Sequence, residues 1–326
     1  MPKKIDYRDK LLYELSLDCR IKNKDLAKIL KISPQLTSYT TEKLIDDKVI
    51  NFYELELDPA KFGLINIILF GSFSIFEKSK QNEIIRKLKE LDWCTYVETA
   101  ELGTDLILEF TVPNLSFFNK VLMGILEENQ KALYIKDIYP VIVKHNFNKR
   151  YLYKKSRIFL EKIFSGDRQV IEITKNDKRV LNALVKDPKA SIVKISNLAD
   201  IDMRTVLKII KNLKKNKIIR GFGVCINNSN IHIDSKMILI DFKYSSIKET
   251  NRLISYCNQV PEIESLIKLI GKNTIMIRIN SPETNDVFNE LRKEFQFQEY
   301  EIYSSKQILK NIYIPMQVLN DDYSIY

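Results

Sequence analysis

Arg204, Lys208, Lys211 and Lys215 follow one another at intervals of four, three and four residues in a chain of 326. Side chains at that spacing share one face of a helix, one turn apart. A row of cations of this kind suits successive phosphates of duplex nucleic acid, and an arginine near the helix start also suits base edges. Val206, Ile209, Ile210 and Leu213 recur at the same period and predict a buried stripe on the other side. Asp202, just before Met203, is a good helix cap. Thr205 belongs to the first turn of this helix, and Lys217 and Arg220 follow its end, where they would add backbone contacts. A weaker constellation lies near the N-terminus. Ser33 caps a helix opened by Pro34, which is tolerated at the first helical position. Gln35, Ser38, Tyr39 and Lys43 then offer hydrogen bonds to bases, alongside the acidic Glu42, Asp46 and Asp47.

Other chemistries have little material. The chain holds only His145 and His232, so zinc sites, histidine triads and histidine-ligated haem are poorly supplied. No catalytic residue, metal or cofactor is expected. Cys19, Cys94, Cys225 and Cys257 form no C-x-x-C pair and read as reduced, mostly buried thiols of a cytoplasmic protein. Gly271-Lys272-Asn273-Thr274 has no glycine five residues earlier and is not a phosphate loop. Gly221-Phe222-Gly223 lacks the third glycine of a dinucleotide fingerprint and reads as a wing turn. Tyr151-Leu152-Tyr153 reads as a strand or linker packed on a sheet, and His145 as the end of a strand. The longest apolar stretch, Phe62 to Phe76, contains Asn66, Ser72 and Ser74, too short and too polar for a membrane helix. The N-terminus shows no apolar signal region. With hydrophobic content at 45% and only 8 glycines and 9 prolines, disorder and fibrous classes are excluded.

The charge is concentrated. The net charge is +10, and residues 173–232 alone carry 13 basic and 4 acidic side chains. Residues 148–172 add 7 basic and 3 acidic ones, whereas residues 1–60 carry 11 of each. This is the footprint of a polyanion-binding module, with a solvated lysine-rich face as the alternative.

The elements that must position these residues occur twice. Asp9, Leu12, Leu44 and Val49-Ile50 correspond to Asp177, Val180, Leu213 and Ile218-Ile219, at an offset of about 168 residues, and a Leu-Ala pair, Leu26-Ala27 and Leu198-Ala199, falls between them in each copy. Gly103 likewise corresponds to Gly271. Each copy starts with three short helices, predicted in copy one over 7–17, 23–31 and from Ser33, followed by an extended segment: a winged helix-turn-helix built as three helices and a β-hairpin. A β-α-β-β-α-β pattern follows. In copy one its strands are Ile65–Ile75, Thr95–Glu101, Asp105–Val112 and Ile135–Val143, and in copy two Met237–Tyr244, Glu262–Leu269, Thr274–Ile279 and Gln298–Tyr303. The fold class is therefore α+β, two winged helix-turn-helix domains each followed by a ferredoxin-like βαββαβ domain. The boundaries are 1–60, 61–147, a basic linker 148–172, 173–232 and 233–326. Each sheet would leave one face bare, and the simplest cover is the other sheet of the same chain, giving an intramolecular pseudo-dimer that leaves further homo-oligomerisation open.

This order resembles the leucine-responsive/asparagine-responsive (Lrp/AsnC) family of transcription regulators. The residues that carry the resemblance are Asp9, Leu12, Leu26-Ala27, Ser33-Pro34, Leu44, Val49-Ile50, Leu57-Asp58-Pro59, Phe62-Gly63, Leu102-Gly103 and Asp105, then Asp177, Thr205-Val206, Leu213, Ile218-Ile219 and Gly271. The resemblance implies a cytoplasmic, non-enzymatic regulator with double-stranded DNA as partner and no membrane. It also implies an amino-acid-like effector site at Gly103-Thr104-Asp105 and at Gly271-Lys272-Asn273-Thr274. The chain departs from the family in several places. Lys48 and Lys217 replace the glycine after the recognition helix, the basic pair expected near Tyr39-Thr40 is absent, and the family's Gly-x-x-Asp turn is one residue short in copy one and lacks its acid in copy two. Two further readings stand beside the regulator. Siroheme decarboxylases resemble this family, also as fused pairs, and handle tetrapyrrole carboxylates with histidines. Ile219-Arg220-Gly221-Phe222-Gly223 is faintly similar to them, but of the downstream histidine and asparagine only His232 has a counterpart. The third reading is an assembly or adaptor protein that does not bind DNA.

Overall fold

The computed structural model describes residues 7–166, 169–242, 246–272, 274–297 and 299–320. Each unit opens with three helices, α1 (Tyr7–Leu17), α2 (Asn23–Leu30) and α3 (Pro34–Asp46) in the first. The serine and aspartate caps act as the sequence predicts: the Leu36 N–H donates to Ser33 Oγ at 3.1 Å. In the second unit α6 (Lys175–Lys186) begins with a capping box between Thr174 and Asp177, and α7 (Ile192–Ala199) and α8 (Met203–Lys215) follow. The Arg204 and Thr205 N–H groups both donate to Asp202 Oδ1 at 3.0 Å.

The wing differs from expectation. The extended segments after α3 and α8 form no hairpins; β1 (Ile50–Leu57) and β7 (Ile219–Ile226) pair with each other, antiparallel, as a two-stranded ribbon. Gly221 and Gly223 lie inside this strand rather than in a wing turn, and a Cβ on Gly221 would collide with Glu56 and Lys162. The reason is hydrogen-bond satisfaction. A lone strand leaves a row of backbone groups unpaired, and the equivalent strand of the other unit is the partner available. The helices cross over in the same way. The Cys19 N–H donates to the Phe222 carbonyl at 2.9 Å, and Arg20 donates to the Pro188 and Ala190 carbonyls at 2.6 and 2.8 Å.

After a single 3₁₀ turn, each ribbon strand enters a βαββαβ domain: β2 (Ile65–Phe73), α4 (Lys78–Glu90), β3 (Cys94–Leu102), β4 (Leu106–Val112), α5 (Leu115–Glu128) and β5 (Leu133–Phe147) in unit one. Unit two has β8 (Asp234–Ile240), α9 (Ile247–Gln259), β9 (Ile263–Leu269), β10 (Ile275–Ser281), α10 (Thr284–Phe295) and β11 (Tyr300–Asn311). The expected ends of the first strand of unit two at Tyr244 and the start of its last at Gln298 fall outside the described residues. Strands β5 and β11 are longer than the pattern predicts, because each serves two sheets. β5 pairs β2 of its own unit through Pro140 and then β9 of unit two from Val141. β11 pairs β8 through Ser305 and β3 of unit one from Ser304. The two sheets thereby close on each other, in the order β2-β4-β3-β11-β8-β10-β9-β5 and back to β2.

Strand alternation sorts the side chains. Ile67 and Leu69 of β2 face the helices of unit one, and Ile238, Ile240, Ile275 and Ile277 face those of unit two. Ile68, Phe70, Ile107, Met237, Leu239 and Met276 meet between the sheets in a third cluster. The pseudo-dimer thus forms within one chain, as each bare sheet face requires.

The described residues between 148 and 166 are not a free tether. Arg150, Tyr151, Leu152, Phe164 and Ser165 are buried, and β6 (Glu161–Phe164) pairs with β5. Asp58, 0% exposed, ties this segment to the ribbon. It accepts from the Ala60 N–H at 3.3 Å and the Ser165 N–H at 3.0 Å, and forms an ion pair with Arg220. Removing one partner of a buried pair strands the other. Asp58→Ala should therefore lower unfolding stability by about 3–5 kcal/mol, read from urea denaturation with all variants at one pH.

Candidate nucleic-acid interface

The second unit presents the expected row. Arg204, Lys208, Lys211, Lys215 and Lys217 are exposed, while Val206, Ile209 and Leu213 are buried. Arg204, Lys208, Lys211, Lys215 and Lys217 make no ion pair among the described residues. Thr205 is half-buried and helps close the capped first turn. Leu207, 53% exposed, lies on the open side of the same helix and offers an apolar contact surface. Arg220 does not join this row. Its Nε donates to Asp58 Oδ2 at 3.1 Å, so its charge is committed to the interior.

In unit one Gln35, Tyr39 and Lys43 are exposed on α3, with Tyr39 at 62%. Ser38 is half-buried and its Oγ accepts from Asn23 Nδ2 at 2.7 Å. Glu42 and Asp46 share the exposed surface of this helix, so it offers hydrogen-bonding groups without a cationic row. The ribbon β1–β7 starts within four residues of the end of each of these helices, which couples their placement.

The turns expected to hold an effector are used by the fold. Gly103 has φ +84°, and a Cβ there would meet the Tyr303 ring at 2.7 Å. Gly271, with φ +147°, lies against the ring of Tyr139. Each turn is thus packed on a tyrosine from the last strand of the other unit. Thr104 Oγ1 donates to the Gly71 carbonyl at 2.7 Å, and Asp105 Oδ2 accepts from the Phe73 N–H at 2.8 Å. Thr274 Oγ1 accepts the corresponding Phe242 N–H at 2.9 Å. Lys272 pairs with Glu301 at 3.1 Å, and Asn273 lies outside the described residues. None of the described residues of the two turns lines either cavity below.

Sequence reasoning missed a charged chamber between the sheets. Beneath the ribbon the inter-sheet layer changes from apolar to ionic. Arg278 of β10 pairs with Glu98 of β3 and also donates to Tyr96 Oη at 2.9 Å. Lys144 pairs with Glu109, Lys149 with Glu264, and Lys162 with Glu56. Burial opposes the charge on Lys149, but the adjoining Glu264 carboxylate overrides it and holds the ammonium above its ordinary range. Burial also works against Glu264, yet Lys149 and Arg278 keep its carboxyl below the usual range. The available signal was strand phase. Arg278 shares the inward face of Ile275-Met276-Ile277-Arg278-Ile279 with Met276, a cation where the alternation calls for a core residue.

Glu54 of β1 is the exception in this chamber. It is 7% exposed, and its side-chain partner is the Asn311 amide at 2.7 Å. Burial pushes its carboxyl up to about 7, with Lys149 opposing and Glu56 adding to the rise. A folded value above the ordinary 4.5 means that the native state holds a proton that the unfolded chain has released. Stability therefore falls as pH rises between those values, and the full penalty applies above the folded one. Glu54→Gln removes the penalty. Its stability should exceed that of the wild type by up to roughly 3 kcal/mol at pH 8, with the difference closing toward pH 4.5, as denaturation across pH will read.

Among the described residues no helix is long and apolar enough to cross a membrane. A winged helix-turn-helix DNA-binding family model matches residues 6–51 and 173–220. The HTH-type transcriptional regulator LrpA of Pyrococcus abyssi is 30% identical over 92 residues, 26% of this chain and 65% of that protein. An uncharacterised HTH-type transcriptional regulator of the same organism is 30% identical over 80 residues, 24% of this chain and 54% of that protein. The chain thus spans between half and two thirds of the length of these curated relatives. Over its whole length the chain has the fold of the siroheme decarboxylase NirDL, with a TM-score of 0.57 at 14% identity, covering 95% of this chain and 94% of that one. The doubled helix-turn-helix match and the fold agree: the chain carries two winged helix-turn-helix modules, each followed by a βαββαβ domain, and over part of its length it is similar to Lrp-type transcriptional regulators.

Proposed function

We propose that this protein is a DNA-binding transcription regulator that acts in the cytoplasm and grips duplex DNA mainly through its second winged helix-turn-helix. The observation that carries this reading is the exposed, unpaired row Arg204, Lys208, Lys211 and Lys215 on the capped helix α8, in a module with 13 basic and 4 acidic side chains. The lysines suit phosphates and Arg204 suits base edges at the helix start. Lys217 extends the same surface. Helix α3, with Gln35, Tyr39 and Lys43, contributes base preference more than affinity, because Glu42 and Asp46 outweigh its single cation, Lys43. The relatives' regulator descriptions support the reading, and an amino-acid-like effector and assembly of pseudo-dimers remain part of it as proposals.

A second reading, a tetrapyrrole enzyme, is favoured by the whole-length fold likeness to a siroheme decarboxylase. The two histidines support it weakly. His145 Nδ1 is bonded to Glu161 at 2.6 Å, and His232 lines a polar cavity of about 430 Å³. The chamber between the sheets measures about 140 Å³, below the roughly 300–1,000 Å³ of ordinary cofactor pockets. Titration with an iron tetrapyrrole, followed by its visible spectrum, separates the two readings.

For the regulator, each neutralised phosphate contributes roughly −0.9 to the slope of log K against log salt. Replacing Lys208, Lys211 and Lys215 together by glutamine should therefore reduce that slope by about 2.7 and weaken all duplexes alike. Arg204→Ala should relax base preference instead. Replacing Gln35, Ser38 and Tyr39 by alanine should change affinity little. Selection from random duplexes followed by fluorescence anisotropy at several salt concentrations measures all three. Failure of the whole chain to bind any duplex at low salt overturns the proposal.

A further inference from the structure

The chamber beneath the β1–β7 ribbon is a cavity with two unlike walls. One is apolar, formed by Ile68, Ile107, Met237, Ile267 and Met276. The other is ionic, lined by four cations and by Glu54, Glu56, Glu109 and Glu264, and Glu98, which holds Arg278 from behind the lining, brings the carboxylates to five. Its four cations are matched one to one: Lys144 with Glu109, Lys149 with Glu264, Lys162 with Glu56, and Arg278 with Glu98. Glu54 is a fifth carboxylate. It lines the cavity, and no described cation lies within ion-pair distance of it. An anionic ligand would deepen the surplus of negative charge. A divalent metal takes about 6–8 oxygen ligands in the calcium case, and among the described residues no group of three or more metal-ligating side chains stands here. What the chamber lacks is one positive charge beside an apolar wall.

We propose that this chamber binds a small organic cation, a primary ammonium on a short apolar stem, with Glu54 as its counter-charge. The ammonium brings three donors to a carboxylate that has one amide partner, and the two methionines give an adaptable surface for the stem. At about 30 Å³ per water-sized group, the cavity of about 140 Å³ takes roughly five heavy atoms, the size of n-butylammonium. An approach exists. Lys149, Glu264, Arg278 and Ile308 also wall the polar cavity of about 430 Å³, which opens at the exposed Ser229 and Lys306. The Lys149–Glu264 pair thus stands between solvent and chamber. Because Glu54 and Cys225 lie on the two strands that follow the recognition helices, an occupant touches the element joining both DNA-binding modules. The ligand site itself does not depend on the regulator reading.

Binding competes with a proton. The groups that face Glu54 are Glu56 of its own strand, Cys225 of β7, Lys149 after β5, Glu264 of β9 and Tyr313 after β11. Of these, Lys149 favours the carboxylate and the two glutamates disfavour it. The test is calorimetric titration of the full chain with n-butylammonium, n-butanol and butyrate at pH 6 and pH 8. Butylammonium should bind about tenfold more tightly at pH 8 than at pH 6, since Glu54 loses its proton near 7. Butanol and butyrate should not compete. Glu54→Gln should remain folded and lose the amine response at both pH values. Equal amine binding by Glu54→Gln, butanol binding as tightly as the amine, or no amine binding by the wild type at pH 8 would each overturn the proposal. The last result would mean that a proton alone balances Glu54. Loss of DNA binding in the Lys208, Lys211 and Lys215 variant leaves this readout unchanged, so the two proposals fail separately.

Discussion

An antiparallel βαββαβ sheet has helices on one face, nothing on the other, and two edges whose backbone groups lack partners. Everything else in this molecule follows from how that deficit is met. Strands β5 and β11 run past their own sheets and pair with β9 and β3 of the opposite unit. Those crossings close the edges and bring the bare faces together over Phe70, Leu239 and Met276. The same constraint governs the amino-terminal modules. Each extended segment after a recognition helix is a strand without a hairpin partner, and β1 and β7 satisfy each other. The two DNA-binding modules are therefore joined through the same cross-unit pairing that closes the sheets.

The inter-sheet layer has two chemistries, and they do different things. The apolar half is packed and contributes burial energy. The ionic half removes several charges from water, which is costly, and pairs such as Arg278–Glu98 return that cost only in one geometry. That pair joins β10 of unit two to β3 of unit one, so it specifies which register the units adopt. Lys149 with Glu264 and Lys162 with Glu56 likewise link the segment after β5 to β9 and to the ribbon. A device that specifies rather than stabilises is useful where two similar halves could pair in more than one way.

Fusion has let the halves diverge while the frame stayed common. The turns retain the same packing, Gly103 on Tyr303 and Gly271 on Tyr139, although an aspartate accepts the strand N–H in one and a threonine in the other. The recognition helices have moved further apart in character. Helix α8 carries a cationic row, whereas α3 mixes Tyr39 and Lys43 with Glu42 and Asp46. A homodimer cannot separate these roles, because a change in one helix is a change in both.

Local chemistry was legible in the sequence. The helices of unit one start at Tyr7, Asn23 and Pro34, within a residue of where spacing and caps put them, because caps and periodicity act over a few residues. The repeat, the α+β class and the exposed face of α8 follow from the same short-range signals. Long-range pairing was not legible. Nothing near residue 50 says that its strand pairs with one near 226, or that β5 and β11 serve two sheets, since a ladder partner is chosen by what remains unpaired after folding. For the same reason Arg220, a cation close to the recognition helix in sequence, proves to be held inside by Asp58, 162 residues away. The chamber is tertiary in origin too. Its charges come from β1, β3, β4, β5, β6, β9, β10 and the segment after β5, and only their convergence leaves Glu54 without a cation.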